Sequence, residues 1–467
     1  MSLQESSKEV LGHLRKEGLD LYSRLHSIDH DAQFVEEIHR QYPTLPLLPN
    51  LRCGAWYMDP SITTNVPAYF KSTDGHTNNW SFNLRRANLH LLPLIVEKAG
   101  IILVDSTRAG KRMPDALSKT VPIWCCVINR AVLKRRHGNS EGTTTWNTAL
   151  YTPPLVVSRQ EHAQIEEKLN RWATDLAESS FSLPDLPLPL RPIWITPSSS
   201  SYPELQALQG DALPVICVSA SRQIESGIER RGDGFAYVQG SGDDHELWGQ
   251  GLTPAVFWKH RAKIMTASRS EVGRVVHDLC ASAQAGDPVT RSKPTPIEKV
   301  AGRIRICAVK DLERDDGNWE TRDNSVYALI TQSSSQHPSA ARVFSVFSMN
   351  SKNVQIEYLK IIEYLKIVLP DATSYISSSL ADGKDVCIAC DTGTDLGVGV
   401  AVAALQLNFD EEGKYVPHSK QGIDKKSIRR RLEWIISSRP QANPSRTTLK
   451  RVNEFLLSSP AFRTGSA

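Results

Sequence analysis

Three polar clusters before residue 250 carry side chains suited to an anionic ligand and to proton transfer. Residues 69–80 place Lys71, Ser72, Thr73, His76 and Asn78 around one glycine, and Arg85 and Arg86 follow. Ammonium, hydroxyl and amide donors crowded in this way suit a phosphate, and an imidazole is a side chain fit to take a proton near neutral pH. The plainer alternative is a solvated turn with local side-chain to backbone bonds. Residues 105–114 combine Asp105 with Arg108, Lys111 and Arg112 around Gly110. Three cations beside a glycine can neutralise a pyrophosphate or an RNA backbone. Only Gly110 and Lys111 match a nucleotide-binding Walker loop, so ATPase chemistry is not expected. Residues 237–248 add Gln239, Asp243, Asp244 and Glu246. Asp243 and Asp244 can hold Mg²⁺ with water completing the shell, or one of them can serve as a general base.

A fourth cluster lies near the C-terminus. Residues 386–390 read as a buried strand leading into Asp391, Thr392, Gly393, Thr394 and Asp395, and then into a helix of small residues from about Leu396. A strand, a tight loop and a helix N-terminus make an anion cradle, because the first helical amides lack partners within the helix. An ordinary turn capped by Thr394 or Asp395 is the alternative. The segment from Cys390 to Leu396 resembles the signature loop of dual-specificity phosphatases. Leu396 replaces the phosphate-gripping arginine, and Ala389 replaces the histidine before the cysteine. Without the guanidinium fork, phosphate is not held bidentately, so active phosphatase chemistry is not expected. Cys387 and Cys390 have no second pair at zinc spacing and read as buried thiols.

These loops need elements to hold them. Residues 101–104 and 215–218 read as buried strands, and helical patterning precedes the first of them, from Arg86 to about Lys98 with a stop at Gly100. The alternation predicts an α/β core. Up to about Arg40 the pattern predicts two helices, with Asp29 and Asp31 as caps between them, followed by extended chain at residues 43–49. Residues 138–145, 179–203 and 281–296 read as insertions or linkers. A fresh set of strands starts near Ile304. The expected organisation is an N-terminal domain over 1–285, a linker over 286–300 and a C-terminal domain over 301–467. A short near-repeat, residues 356–360 echoed by 362–366, sits in an expected helix. Trp248 and Trp258 read as core aromatics.

Composition sets the frame. With 467 residues, 40% hydrophobic and 23% charged, the chain fits a globular protein of two or three domains. A net charge of +4 does not announce nucleic-acid binding. Local runs do so better: Lys134, Arg135 and Arg136, and Lys425 and Lys426 with Arg429, Arg430 and Arg431 on one helix, are candidate nucleic-acid phosphate contacts or solvated faces. Eight scattered cysteines imply reduced thiols. The opening residues lack an apolar core, and no apolar run reaches the length of a bilayer, so no signal peptide or membrane span is expected.

The blocks at 70–86, 104–124 and 237–258, followed by the degenerate phosphatase loop, are together similar to the initiator-tRNA 2′-O-ribosylphosphate transferase family over nearly the whole chain. The resemblance implies a mixed α/β N-terminal domain and a degenerate dual-specificity-phosphatase-like α/β C-terminal domain. It implies transfer of a phosphoribosyl group from 5-phosphoribosyl-1-pyrophosphate (PRPP) to the 2′-hydroxyl of a T-stem adenosine in initiator tRNA, which excludes that tRNA from elongation. A cytoplasmic location and no obligate protein partner are expected. Lys71, Ser72, Thr73, Arg85, Arg108, Lys111, Arg112 and Gln239 would bind substrate, and Asp105, Asp243, Asp244 or His76 would do base or metal work. The loop from Cys390 to Asp395 would hold a donor phosphate or be structural. The rivals are an active phosphatase and a catalytically inactive tRNA-binding protein.

Overall fold

The structure is a computed structural model that describes residues 20–51, 53–64, 66–108, 110–137, 146–225, 228–230, 234–286, 293–312, 324–331, 341–345, 363–416, 422–459 and 463. The insertion expected at 138–145 and most of the near-repeat at 356–366 lie outside these residues. The chain forms two compact units. The first comprises Met1–Asn83, Ala87–Glu178 and Leu183–Asp287; the second comprises Leu84–Arg86, Ser179–Ser182 and Pro288–Ala467.

The first unit begins with helix α1 (Leu21–Gln41), whose N-cap Asp20 accepts from the Ser23 amide at 3.0 Å. Leu21, Leu25, Ile28, Ala32, Val35 and Ile38 recur at helical spacing and are buried. The expected break at Asp29 and Asp31 does not occur. Both carboxylates find partners outside the helix, Arg261 for Asp29 and Ser221 and Tyr237 for Asp31, so neither competes for the helix backbone. Strand β1 (Leu47–Pro49) follows. Helix α2 (Leu91–Lys98) starts later than its apolar pattern suggests, because Pro93 is tolerated only in a first turn, where amides lack acceptors. Residues Leu84–Arg86 form a separate 3-10 turn.

Strand β2 (Ile101–Asp105) leads through a π-turn (Ala116–Thr120) into α3 (Val121–His137), then α4 (Arg159–Ala177), β3 (Leu190–Ile195), α5 (Leu205–Gln209) and β4 (Leu213–Ser219). The proline-rich stretch read as a linker therefore contains a strand. The run Ala116–Arg136 is long and apolar enough to cross a bilayer, contrary to the expectation above, but its most apolar stretch is almost wholly buried inside the protein, as befits a core helix. A small antiparallel ribbon, β5 (Ile228–Arg230) with β6 (Ala236–Val238), and helices α6 (Pro254–Lys259), α7 (Arg261–Thr266) and α8 (Val272–Gly286) complete the unit. Trp248 and Trp258 are core residues.

The main sheet has the order β1-β2-β4-β3 and is parallel throughout. All residues of β2 and β4 are buried, which explains their unbroken apolar runs. In such sheets ligands bind beyond the carboxyl ends of the strands. The loops after β2 and β4 leave neighbouring strands at that edge.

In the second unit the sheet order is β10-β9-β11-β8-β7. Its strands are β7 (Thr295–Pro296), β8 (Ile304–Ala308), β9 (Ser325–Thr331), β10 (Ala341–Ser345) and β11 (Asp385–Cys390). Only β7 runs antiparallel to its neighbour. Part of the expected linker is thus a sheet edge. Helices α9 (Leu369–Ala381), α10 (Leu396–Asn408), α11 (Lys425–Ser438) and α12 (Arg446–Leu457) complete it, with α10 deeply buried.

A buried polar cluster ties α1 to the carboxyl edge of the first sheet. Asp31 accepts from Ser221 Oγ at 2.5 Å and from Tyr237 Oη at 2.7 Å. Ser221 Oγ also meets Ser106 Oγ at 2.6 Å and accepts from the Gly240 amide at 3.2 Å. Tyr237 Oη accepts from the Arg222 amide at 2.9 Å. Burial pushes the Asp31 carboxyl above the usual range, against hydrogen bonds from His30, Ser221 and Tyr237. Removing Asp31 would strand two buried hydroxyls. Asp31→Ala should therefore lower unfolding free energy by roughly 3 kcal/mol in denaturant titrations; a change near zero would show that the cluster is incidental to stability.

Candidate active site

The second and third polar clusters meet at the carboxyl edge of the first sheet. Gly240, at φ 69°, lies so close to the Thr107–Arg108 peptide that a Cβ there would come within 2.5 Å of the Thr107 carbonyl oxygen. A side chain at 240 would push the two loops apart. Arg108 reaches across, with Nε 3.1 Å from Asp243 Oδ2 and Nη1 2.8 Å from Asp244 Oδ2. Asp243 is buried, whereas the Arg108 side chain is 68% exposed. Asp244 adopts the left-handed region at φ 48°, a conformation that Asp tolerates better than most residues. Gln239 clamps the loops further: its Nε2 donates to the Lys111 carbonyl at 2.6 Å, and its Oε1 accepts from the Ile224 amide at 2.8 Å. Arg112 Nη2 donates to Ser198 Oγ beyond β3 at 3.0 Å.

The first cluster joins the second through Asp115. Ser72 Oγ accepts from the Ala116 amide, and Thr120 Oγ1 donates to the Lys71 carbonyl, so the loop at 71–80 packs on the π-turn. Asp115 Oδ2 lies 3.1 Å from Lys111 Nζ and 3.7 Å from His76 Nε2, while Oδ1 lies 3.0 Å from Lys119 Nζ. Buried Lys119 also binds Glu161 at 3.0 Å, and the same Glu161 oxygen accepts from Thr77 Oγ1 and Trp80 Nε1. Burial would raise the Asp115 and Glu161 carboxyls. Lys119 outweighs it, with help from Lys111 at Asp115 and from Trp80 and Thr77 at Glu161, and holds both below the usual range.

Lys71, Ser72, Thr73 and His76 thus lie on a loop linked to the one that carries Arg108, Lys111 and Arg112. Three residues singled out from sequence sit elsewhere. Asp105 is fully buried, accepting from Asn50 Nδ2 at 2.8 Å, from Cys53 Sγ at 3.0 Å and from the Ser106 amide at 2.9 Å. It shapes the strand end and cannot face an acceptor hydroxyl. Arg85 groups with the second unit, where Nη1 donates to the Pro444 carbonyl. Arg431 is buried, its guanidinium 4.0 Å above the Trp434 ring and bonded to the Phe409 carbonyl, because its position falls on the apolar face of α11. Of the other basic candidates, Lys134 and Arg429 are exposed. Arg135 donates to the Ala177 carbonyl, Arg136 pairs with Asp185 and Arg430 with Glu411. Among the described residues, no group of three or more His, Cys, Asp or Glu side chains could cage a metal. Asp243 and Asp244 offer two carboxylates, both engaged by Arg108.

In the second unit the phosphatase-like loop is closed by its own bonds. Asp391 accepts from Thr331, and Asp395 accepts from the Ser445 amide at 2.9 Å and from Thr448 Oγ1 at 2.6 Å. Thr392 Oγ1 receives both the amide and the hydroxyl of Thr394. Arg439, buried, donates from Nε to the Gly393 carbonyl at 2.9 Å. Cys390 is buried, with the Gly397 backbone packed on its sulfur. Asp395 holds the N-cap position of α10 without capping it through its side chain.

Sequence reading missed Asp31, Ser221, Asp115, Lys119 and Glu161. Asp31 and Lys119 left a signal, Asp31 at helical spacing from the apolar Ile28 and Val35 and Lys119 two residues from Leu117 and Val121 on either side; the others came together only through tertiary folding. Lys119 supports a pH prediction. Lys119→Met should destabilise the protein by roughly 3 kcal/mol at pH 7 by removing the buried cation that Asp115 and Glu161 share. Carboxyls depressed in the folded state stabilise above their unfolded values, and that contribution is lost as pH falls through the folded ones. The gap in thermal midpoint between wild type and variant should therefore close on acidification; a gap constant with pH would refute this account.

Comparison with known proteins places the chain in a family. Residues 14–281 match the family profile described as the Rit1 N-terminal domain, and residues 355–456 match the Rit1 DUSP-like domain. The chain is 32% identical over 504 residues to the tRNA A64-2′-O-ribosylphosphate transferase of Saccharomyces cerevisiae, covering 98% of this chain and 95% of that protein. It is also 32% identical over 463 residues to an uncharacterized protein of Schizosaccharomyces pombe, covering 95% of each. With both domain types matched and similarity running end to end, the chain belongs to the Rit1 family.

Proposed function

We propose that this protein is a tRNA ribosylphosphate transferase that modifies the 2′-oxygen of the T-stem adenosine at position 64 of initiator tRNA, with PRPP as donor. The observation that carries this reading is the end-to-end similarity to the yeast transferase bearing that name. The first unit offers a site of matching chemistry. Displacement at C1 of the donor builds positive charge on the ribose and negative charge on the departing pyrophosphate. Arg108, Lys111 and Arg112 gather three cations at the sheet edge for the second of these, with Gln239 fixing the loop that carries them. Lys71, Ser72 and Thr73 supply further donors.

Two adjacent carboxylates fit Mg²⁺, which binds through one or two carboxylates together with substrate phosphates rather than in an all-protein cage. Asp243 and Asp244 would hold it, and the ion would supply charge neutralisation to the diphosphate. Lys134, Arg429 and the lysines beside it suit the RNA backbone, since a stem is recognised by shape, phosphates and 2′-hydroxyls. In this reading the product works in the cytoplasm, marking the tRNA for initiation and barring it from elongation. Leu396 and the self-bonded loop speak against phosphatase turnover.

Labelled PRPP and initiator tRNA test the proposal directly. Wild-type protein should incorporate label, and Arg108→Ala and Asp243→Asn should each lower the rate about 100-fold with the fold intact by circular dichroism. No incorporation by wild type would leave a tRNA-binding protein instead. Normal rates in both variants would move the site elsewhere.

A further inference from the structure

The transfer reaction needs a group to take the proton of the entering hydroxyl, and this inference rests on the transferase reading above. Asp105 is sealed beneath Asn50 and Cys53, and Asp243 and Asp244 hold Arg108. His76 differs from all three. Its side chain is 49% exposed, and Nε2 faces Asp115 Oδ2 at 3.7 Å. The other ring nitrogen, Nδ1, is then the one available to an acceptor. Asp115 is itself fixed from behind: Lys119 Nζ sits 3.0 Å from Oδ1. Its second oxygen is shared, because Lys111 Nζ lies 3.1 Å from the same Oδ2 that faces His76. Lys111 is 59% exposed and belongs to the loop of Arg108, so a diphosphate bound there competes with Asp115 for it.

We propose that His76 is the base that accepts the 2′-hydroxyl proton, and that Asp115 is its positioning residue, handed to His76 when the donor diphosphate draws Lys111 away. In the step itself, the bond between the 2′-oxygen and C1 forms as the C1–O bond to pyrophosphate breaks, and that bond's electron pair leaves on pyrophosphate. The hydroxyl proton passes to His76 Nδ1, while the Nε2 proton stays directed at Asp115. The carboxylate keeps its charge throughout, since buried Lys119 stays paired with it and favours the ionised form against burial. Lys111 thereby links the two halves of the reaction, because the base is oriented only once the donor has arrived.

Incorporation of labelled PRPP into saturating initiator tRNA separates this arrangement from a structural role. His76→Ala should lower kcat about 100-fold, and Asp115→Asn about 10-fold, with the donor KM within about threefold in each. Introducing Asp115→Asn into His76→Ala should lower the rate by less than about twofold, because the carboxylate acts through the imidazole. His76→Gln serves if the alanine variant loses thermal stability. If the Asp115 effect multiplies undiminished into the His76 background, or if His76 variants keep wild-type kcat, the dyad is refuted. Wild-type protein that incorporates nothing sinks the transferase reading and the dyad together, whereas wild-type incorporation that His76 variants leave unchanged sinks the dyad alone.

Discussion

A single buried carboxylate organises the carboxyl edge of the first unit's sheet. Asp31 stands on α1, far in sequence from the loops it serves, and receives hydroxyls from Ser221 and Tyr237. Through Ser221 it reaches Ser106 at the end of β2, and through Tyr237 the backbone at Arg222. Three chain segments are thus positioned by one group that burial alone would prefer to neutralise. An ionised carboxylate out of water is tolerable only when its oxygens are fully hydrogen-bonded. The need to satisfy Asp31 therefore fixes the geometry of the loops, and the loops in turn fix Arg108 against Asp243 and Asp244.

The same logic runs through the rest of the site. Three of its cations are already paired with carboxylates: Arg108 with Asp243 and Asp244, Lys111 and Lys119 with Asp115. On the proposed reading, an anionic donor would enter by exchanging partners rather than by meeting bare charge. Such exchange limits electrostatic affinity for stray anions, since each must match what the carboxylates provide. It would also leave carboxylates without their cations at the moment of binding, where the proposed metal ion or imidazole could take them.

Much of this was legible in the sequence. Strands β2, β4, β8 and β11 showed as short apolar runs, and the loops at 105–112 and 237–244 showed as dense polar clusters. They lie against one another at Gly240 and Arg108. What stayed hidden depended on tertiary partners. Asp29 and Asp31 looked like helix caps because short carboxylates usually serve there, and only the distant Arg261, Ser221 and Tyr237 keep them mid-helix. Arg431 looked like part of a basic stripe, yet helical periodicity turns it inward onto Trp434. Asp105 carries the right chemistry in the wrong place, because the end of a central strand is sealed by its neighbours.

The C-terminal loop holds a keystone of the second sheet. Gly393 sits at φ 66°, and any Cβ there would lie 2.6 Å from the Ala308 amide nitrogen. Its carbonyl receives the buried guanidinium of Arg439. The glycine is thus required by the joint between two adjacent strand ends, whatever the loop once gripped. Retention of a glycine here in other members of the family would report on the architecture of the sheet, and a lineage could lose every trace of phosphate chemistry while keeping that residue unchanged.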